Sequence, residues 1–137
     1  MKQGALAGGC LCGGVRYVAR GALDAGYCHC RMCQRSSGAP AQSWVSFPRE
    51  HFRYDKGSPA VYRSSPTAER EFCRECGSQL AFRDDRSPAT IAVNSGTLDE
   101  PASVKPQLHI WTASRIPWFE VADQLPRYEE EAAEAPE

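Results

Sequence analysis

Seven cysteines in three tight groups constrain this chain more than any other feature of it: Cys10 and Cys12 as CxC, Cys28, Cys30 and Cys33 as CxCxxC, and Cys73 and Cys76 as CxxC. Their surroundings read GGCLCGG, YCHCRMC and FCRECGS. Such groups form disulfides in an oxidising compartment and bind metal or do thiol chemistry in a reducing one. The start, MKQGALAGGCLCGG, has one lysine and no apolar run of signal-peptide length, so a cytoplasmic protein is expected. The odd count also leaves one thiol over in any all-disulfide scheme.

Zinc answers the spacing. A CxxC on a tight turn aims two sulfurs at one point about 2.3 Å away, and glycine after the turn lets the backbone curl, as Gly77 and the pair Gly13 and Gly14 can do. One ion held by Cys10, Cys12, Cys73 and Cys76 would clip the N-terminal strand to a loop more than sixty residues away, a structural task. Cys28, Cys30 and Cys33 remain, and three protein ligands with a vacant fourth position is the pattern of a catalytic zinc. Four thiolates on the ion leave about −2 and three leave about −1, so the second site can still accept water or an incoming thiolate. A competing partition adds His29 or His51 to the three thiols and closes both sites, although His29 stands awkwardly between two ligands. A redox dithiol of Cys30 and Cys33 lacks the βαβ setting of thioredoxin-like motifs.

Ten prolines and eleven glycines interrupt nearly every window in which a helical period could build up. Short strands are expected instead at Val15 to Ala19, Gln42 to Phe47, Ala60 to Arg63, Gln79 to Phe82, Thr90 to Val93 and Gln107 to Trp111, each rich in β-branched or aromatic residues. Single helical turns fit Arg31 to Ser37 and Pro48 to His51. The fold class is mainly β. One domain over residues 1–128 is expected, followed by an acidic disordered tail over 129–137, which holds five glutamates and no large apolar side chain. The net charge of −1, with no basic block, argues against nucleic acid, and no stretch approaches the ~20 apolar residues of a membrane span.

The segments GGCLCGGVRY, CHCRMCQRSSGAP, FCRECGSQL and HIWTASRIPWFEVADQLPRY resemble the glutathione-dependent formaldehyde-activating enzyme family, also called the centromere-protein-V-like family. The likeness spans nearly the whole chain except the acidic tail. It implies a mainly β, Mss4-like fold of small sheets around a structural zinc, with two zinc sites: Cys10, Cys12, Cys73 and Cys76 as structural ligands, and Cys28, Cys30 and Cys33 as catalytic residues at a second, labile zinc. It further implies a carbon-sulfur lyase type of activity, in which glutathione and formaldehyde join to give S-hydroxymethylglutathione. The partner would then be a small-molecule thiol such as glutathione. The alternative is a zinc-stabilised binding module without turnover, its three thiols closed by a fourth protein ligand.

Beside the thiols, Arg31 and Arg35 are placed to meet substrate carboxylates, although arginines near a turn are more often solvated. Trp44, Trp111 and Trp118 are read as core residues. His109 alternates with apolar residues in QLHIW, and a strand there points it inward to a hydrogen-bonded position or toward the open site.

Overall fold

A computed structural model describes residues 4–132. Ten strands and one short helix follow one another: β1 (Leu6–Gly9), β2 (Arg16–Ala19), β3 (Asp24–Cys28), α1 (Arg31–Ser37), β4 (Gln42–Pro48), β5 (Phe52–Lys56), β6 (Ala60–Arg63), β7 (Ala68–Phe72), β8 (Gln79–Asp84), β9 (Thr90–Asn94) and β10 (Leu108–Ile110). They form a three-stranded sheet of order β1-β2-β5 and a seven-stranded sheet of order β10-β3-β4-β9-β8-β7-β6. All pairings are antiparallel except β10 beside β3. The mainly β expectation and the Mss4-like architecture hold, and among the described residues no helix is long and apolar enough to cross a membrane.

Strand alternation decides which face is core. Val45 and Phe47 of β4 and Ile91 and Val93 of β9 are buried among Tyr17 and Ala19 of β2, so both sheets share one apolar cluster. The intervening residues, Gln42, Trp44 and Ser46 of β4 with Thr90, Ala92 and Asn94 of β9, point to the other face and line a cavity of about 720 Å³. The large sheet is thus packed on one side and carries the cavity on the other.

α1 is bounded by its own sequence. Cys30 caps its N-terminus, its sulfur accepting from the Cys33 N–H at 3.3 Å, and Gly38 ends it in the left-handed region at φ 73°, its N–H bonding the Gln34 carbonyl. The turn expected at Pro48 to His51 is a 3-10 turn over Arg49–His51.

Gly26 permits the parallel contact that brings β10 to the site. A Cβ there would lie 2.7 Å from the Leu108 carbonyl oxygen and 3.1 Å from the Trp44 ring. Both neighbours are register partners of Gly26, and the Leu108 oxygen, being backbone, cannot give way without moving β10. Gly26→Ala is therefore expected to cost about 1–3 kcal/mol, read as a lower urea midpoint at unchanged slope.

The segment expected to begin a solvated tail starts in contact with the fold. The carbonyls of Tyr128, Glu129 and Glu130 accept from the N–H groups of Thr112, Ala113 and Trp111. Backbone groups make this pairing, so the acidic composition says nothing against it. Residues 133–137 of the expected tail lie outside the described residues.

Candidate functional site

Two cysteine clusters assemble from the three sequence groups, and among the described residues they are Cys10, Cys12, Cys73, Cys76 and Cys28, Cys30, Cys33. In each, all ligand sulfurs lie within 4.8 Å of one another.

Facing turns build the first cluster. Gly13 and Gly77, at φ 79° and 81°, close turns whose N–H groups bond back to the carbonyls of Cys10 and Cys73. The Val15 N–H reaches the Cys10 sulfur at 3.2 Å and the Cys76 N–H the Cys73 sulfur at 3.5 Å. The Leu11 N–H bonds the Ser78 hydroxyl at 2.9 Å and ties one turn to the other. Sulfurs of Cys10 and Cys12 stand 3.6 Å apart, and those of Cys12 and Cys73 stand 3.8 Å apart. Ligands about 2.3 Å from a tetrahedral zinc are about 3.8 Å from one another, so the donor set fits that ion and is far too open for a disulfide. The Ser78 hydroxyl and backbone N–H hold the Cys76 thiol down at about 5. Burial opposes ionisation of Cys10, yet hydrogen bonds from the Val15 N–H and the Cys12 and Cys73 thiols leave it lowered. These two shifts favour the thiolate, which is the ligand form, whereas at Cys12 the Gly14 N–H favours the thiolate but hydrogen bonds with Cys10 and Cys76 push the thiol up to about 11. Cys10, Cys73 and Cys76 also pack into the shared apolar core, which makes this cluster part of the fold.

The second cluster opens on the cavity. Cys28 ends β3, Cys30 caps α1 and Cys33 lies in its first turn; all three line the cavity wall. Hydrogen bonds from the Cys28 and Cys33 thiols hold Cys30 far below the ordinary thiol range. Hydrogen bonds with Cys30 and then Cys33, together with burial, push Cys28 up. Neither His29 nor His51 joins the three sulfurs as a candidate ligand. His29 is engaged elsewhere: its Nε2 meets His109 Nδ1 at 2.9 Å, and His109 Nε2 meets the Asp123 carboxylate at 3.0 Å. Arg127 in turn donates to Asp123 at 2.6 Å. The strand thus points His109 inward, 1% exposed, into a chain of hydrogen bonds that starts buried at His29 and reaches the surface at Arg127.

The tryptophans depart from their expected core role. Trp44 and Trp111 line the cavity, and Trp118 is 74% exposed. Trp44 sits on the β4 face opposite Val45. Trp111 takes the left-handed conformation at φ 57°, the one non-glycine residue to do so among the described residues. Its N–H bonds the Glu130 carbonyl and its own carbonyl accepts from Ser114, which holds the strained backbone beside the cavity. Of the two arginines singled out in the sequence, Arg31 lines the cavity, bonded to Gln34, whereas Arg35 does not line it.

Arg70 was missed by sequence reasoning. On β7 its guanidinium lies over the Phe82 ring, donates to the Ser36 hydroxyl at 3.2 Å and faces the Cys33 sulfur at 3.9 Å from both terminal nitrogens. Its strand, AEREF, gives no signal of a buried cation.

A family model described as glutathione-dependent formaldehyde-activating enzyme matches residues 5–114 of the chain. The crystal structure of a Rhodobacter sphaeroides protein is similar to it, at 25% sequence identity and a TM-score of 0.60, covering 88% of this chain and 98% of that one. No curated protein matches the chain.

Proposed function

The chain belongs to the glutathione-dependent formaldehyde-activating enzyme family, and from that premise we propose that it catalyses the addition of glutathione to formaldehyde, a carbon-sulfur lyase reaction run toward the adduct. The observation that carries this reading is the three-thiol cluster set in the wall of a cavity of ligand size. The first cluster, which joins two facing turns and packs three of its four thiols against the core while Cys12 stays exposed, is read as the structural site.

Cys28, Cys30 and Cys33 would hold zinc, which when bound supplies a Lewis acid able to lower the pKa of a thiol. The reaction itself is short: the thiolate sulfur forms a bond to the aldehyde carbon, the carbonyl π pair moves to oxygen, and that oxygen takes a proton from solvent. The chain's own residues bind and orient. Trp44 and Trp111 give apolar walls. The lining holds Arg31 and Arg86 together with Asp24, Asp84 and Glu131, a mixed charge suited to a small peptide bearing two carboxylates and an ammonium group.

Exchange NMR on glutathione and formaldehyde with the purified, zinc-loaded chain tests the proposal. Interconversion of free glutathione and S-hydroxymethylglutathione is expected to run about tenfold or more faster than in buffer at the same pH, a modest demand on positioning and electrostatics. An unchanged exchange rate overturns the glutathione reading.

A further inference from the structure

Arg70 presents a problem of charge. It is only 7% exposed, and among the described residues no carboxylate pairs with it. Its strand neighbour Glu71, equally buried, is satisfied by Arg83 and by the Tyr54 hydroxyl, so the fold does pair its other buried charge on β7. A guanidinium taken out of water without an anion is costly. Phe82 supplies a π face and Ser36 one neutral acceptor, and neither carries a full charge. The group at hand is a sulfur: both terminal nitrogens lie 3.9 Å from that of Cys33, whose thiol belongs to the open cluster and would be an anion once the cluster holds a metal ion.

Charge counting gives the consequence. Three thiolates around a divalent ion make −1, and a fourth anionic ligand would take the site to −2, as in a closed structural site. Arg70 adds one positive charge beside the cluster, so an anion entering the fourth position meets a neutral surrounding. A neutral donor gains nothing from that charge.

We propose that Arg70 is the anion-selecting residue of the three-thiol site: it makes the open position prefer a ligand that binds as a thiolate over a neutral donor. This rests on the reading above that Cys28, Cys30 and Cys33 hold a metal ion. Arg70 also fixes Ser36 on α1, a purely structural task that would affect all ligands alike.

The test uses the full chain loaded with cobalt(II), whose thiolate charge-transfer and d-d bands report the fourth ligand without any turnover. The wild type and the variants Arg70→Met, Arg70→Gln and Arg70→Lys are titrated with 2-mercaptoethanol, which binds as an anion, and with imidazole, which binds neutral. Loss of the charge is expected to weaken mercaptoethanol binding by about tenfold or more, roughly 1.4 kcal/mol, and imidazole binding by less than about twofold. Arg70→Lys is expected to keep mercaptoethanol affinity within about threefold, since charge rather than the planar fork is invoked. Equal weakening of both probes in whichever of the Met and Gln variants folds, or no weakening of either, overturns the role of Arg70. A wild-type spectrum that responds to neither probe overturns the metal reading and the proposal with it.

Discussion

Cys73→Ser is expected to abolish the cooperative unfolding transition of this chain at ambient temperature, and chelation of the wild-type protein strong enough to empty the first cluster is expected to do the same. Cys73 is 2% exposed and packs in the core shared by the two sheets. Its sulfur accepts from the Cys76 N–H and stands 3.8 Å from that of Cys12, so it belongs to both facing turns. An ion bridging Cys12 and Cys73 closes a loop across sixty-one positions. By chain entropy a cross-link of that span is worth about 4 kcal/mol. Zinc-folded peptides gain about 10–16 kcal/mol from a structural site, against about 5–15 kcal/mol for the whole stability of a typical domain. Losing one of four ligands thus removes an amount comparable to everything that holds the chain folded. Circular dichroism during heating checks it. A sigmoidal transition shifted by no more than a common core substitution, about 1–3 kcal/mol, would show that the first cluster does not carry the fold.

The sequence announced the cysteine groups because their spacing is local: CxC and CxxC put sulfurs on one turn whatever the rest of the chain does. It also announced the strands with β-branched or aromatic residues, and α1, whose bounds of Arg31 and Ser37 are those expected. Four strands stayed hidden, each for a physical reason. β1 ends in Gly8 and Gly9, which read as a turn, yet a Cβ at Gly8 would meet the Thr97 carbonyl at 2.5 Å, so close approach demands the glycine. β3 carries Asp24 and Gly26, both depleted in strands. β5, FRYDK, carries three charged residues, and the small sheet uses only its Phe52 and Tyr54 for packing. β7 has three charges in five residues, and its burial depends on partners away from it in the chain, Arg83 for Glu71 and Cys33 and Ser36 for Arg70. The same holds for the site. The chain from His29 through His109 to Asp123 joins three segments that no local pattern connects. The two tryptophans of the cavity wall became distinguishable from core residues only once the register of β4 fixed the face of Trp44 and the left-handed turn after β10 placed Trp111.

Cys30→Ser is expected to separate function from fold. Cys30 is half-buried on the cavity side and does not join the apolar core cluster that holds Cys10 and Cys73. Its local structural task is to cap α1 through the Cys33 N–H, and serine is among the best residues for that position, so the start of the helix should survive the change. What serine cannot replace is the soft thiolate, because its hydroxyl stays protonated at neutral pH and binds zinc poorly in a site with two remaining thiols. Zinc content is expected to fall from two per chain to one, and thiol-aldehyde exchange to fall to the buffer rate. The thermal midpoint should move by less than about 5 °C, the shift expected from roughly 1 kcal/mol in a domain of this size. Cys28 is the poorer probe, since it is buried at the end of β3 and its replacement disturbs packing as well as ligation. Metal analysis and a melting curve on the same preparation decide the matter. Were Cys30→Ser to lose as much stability as Cys73→Ser, the second cluster would be a structural site like the first, and the division into a closed and an open centre would fail.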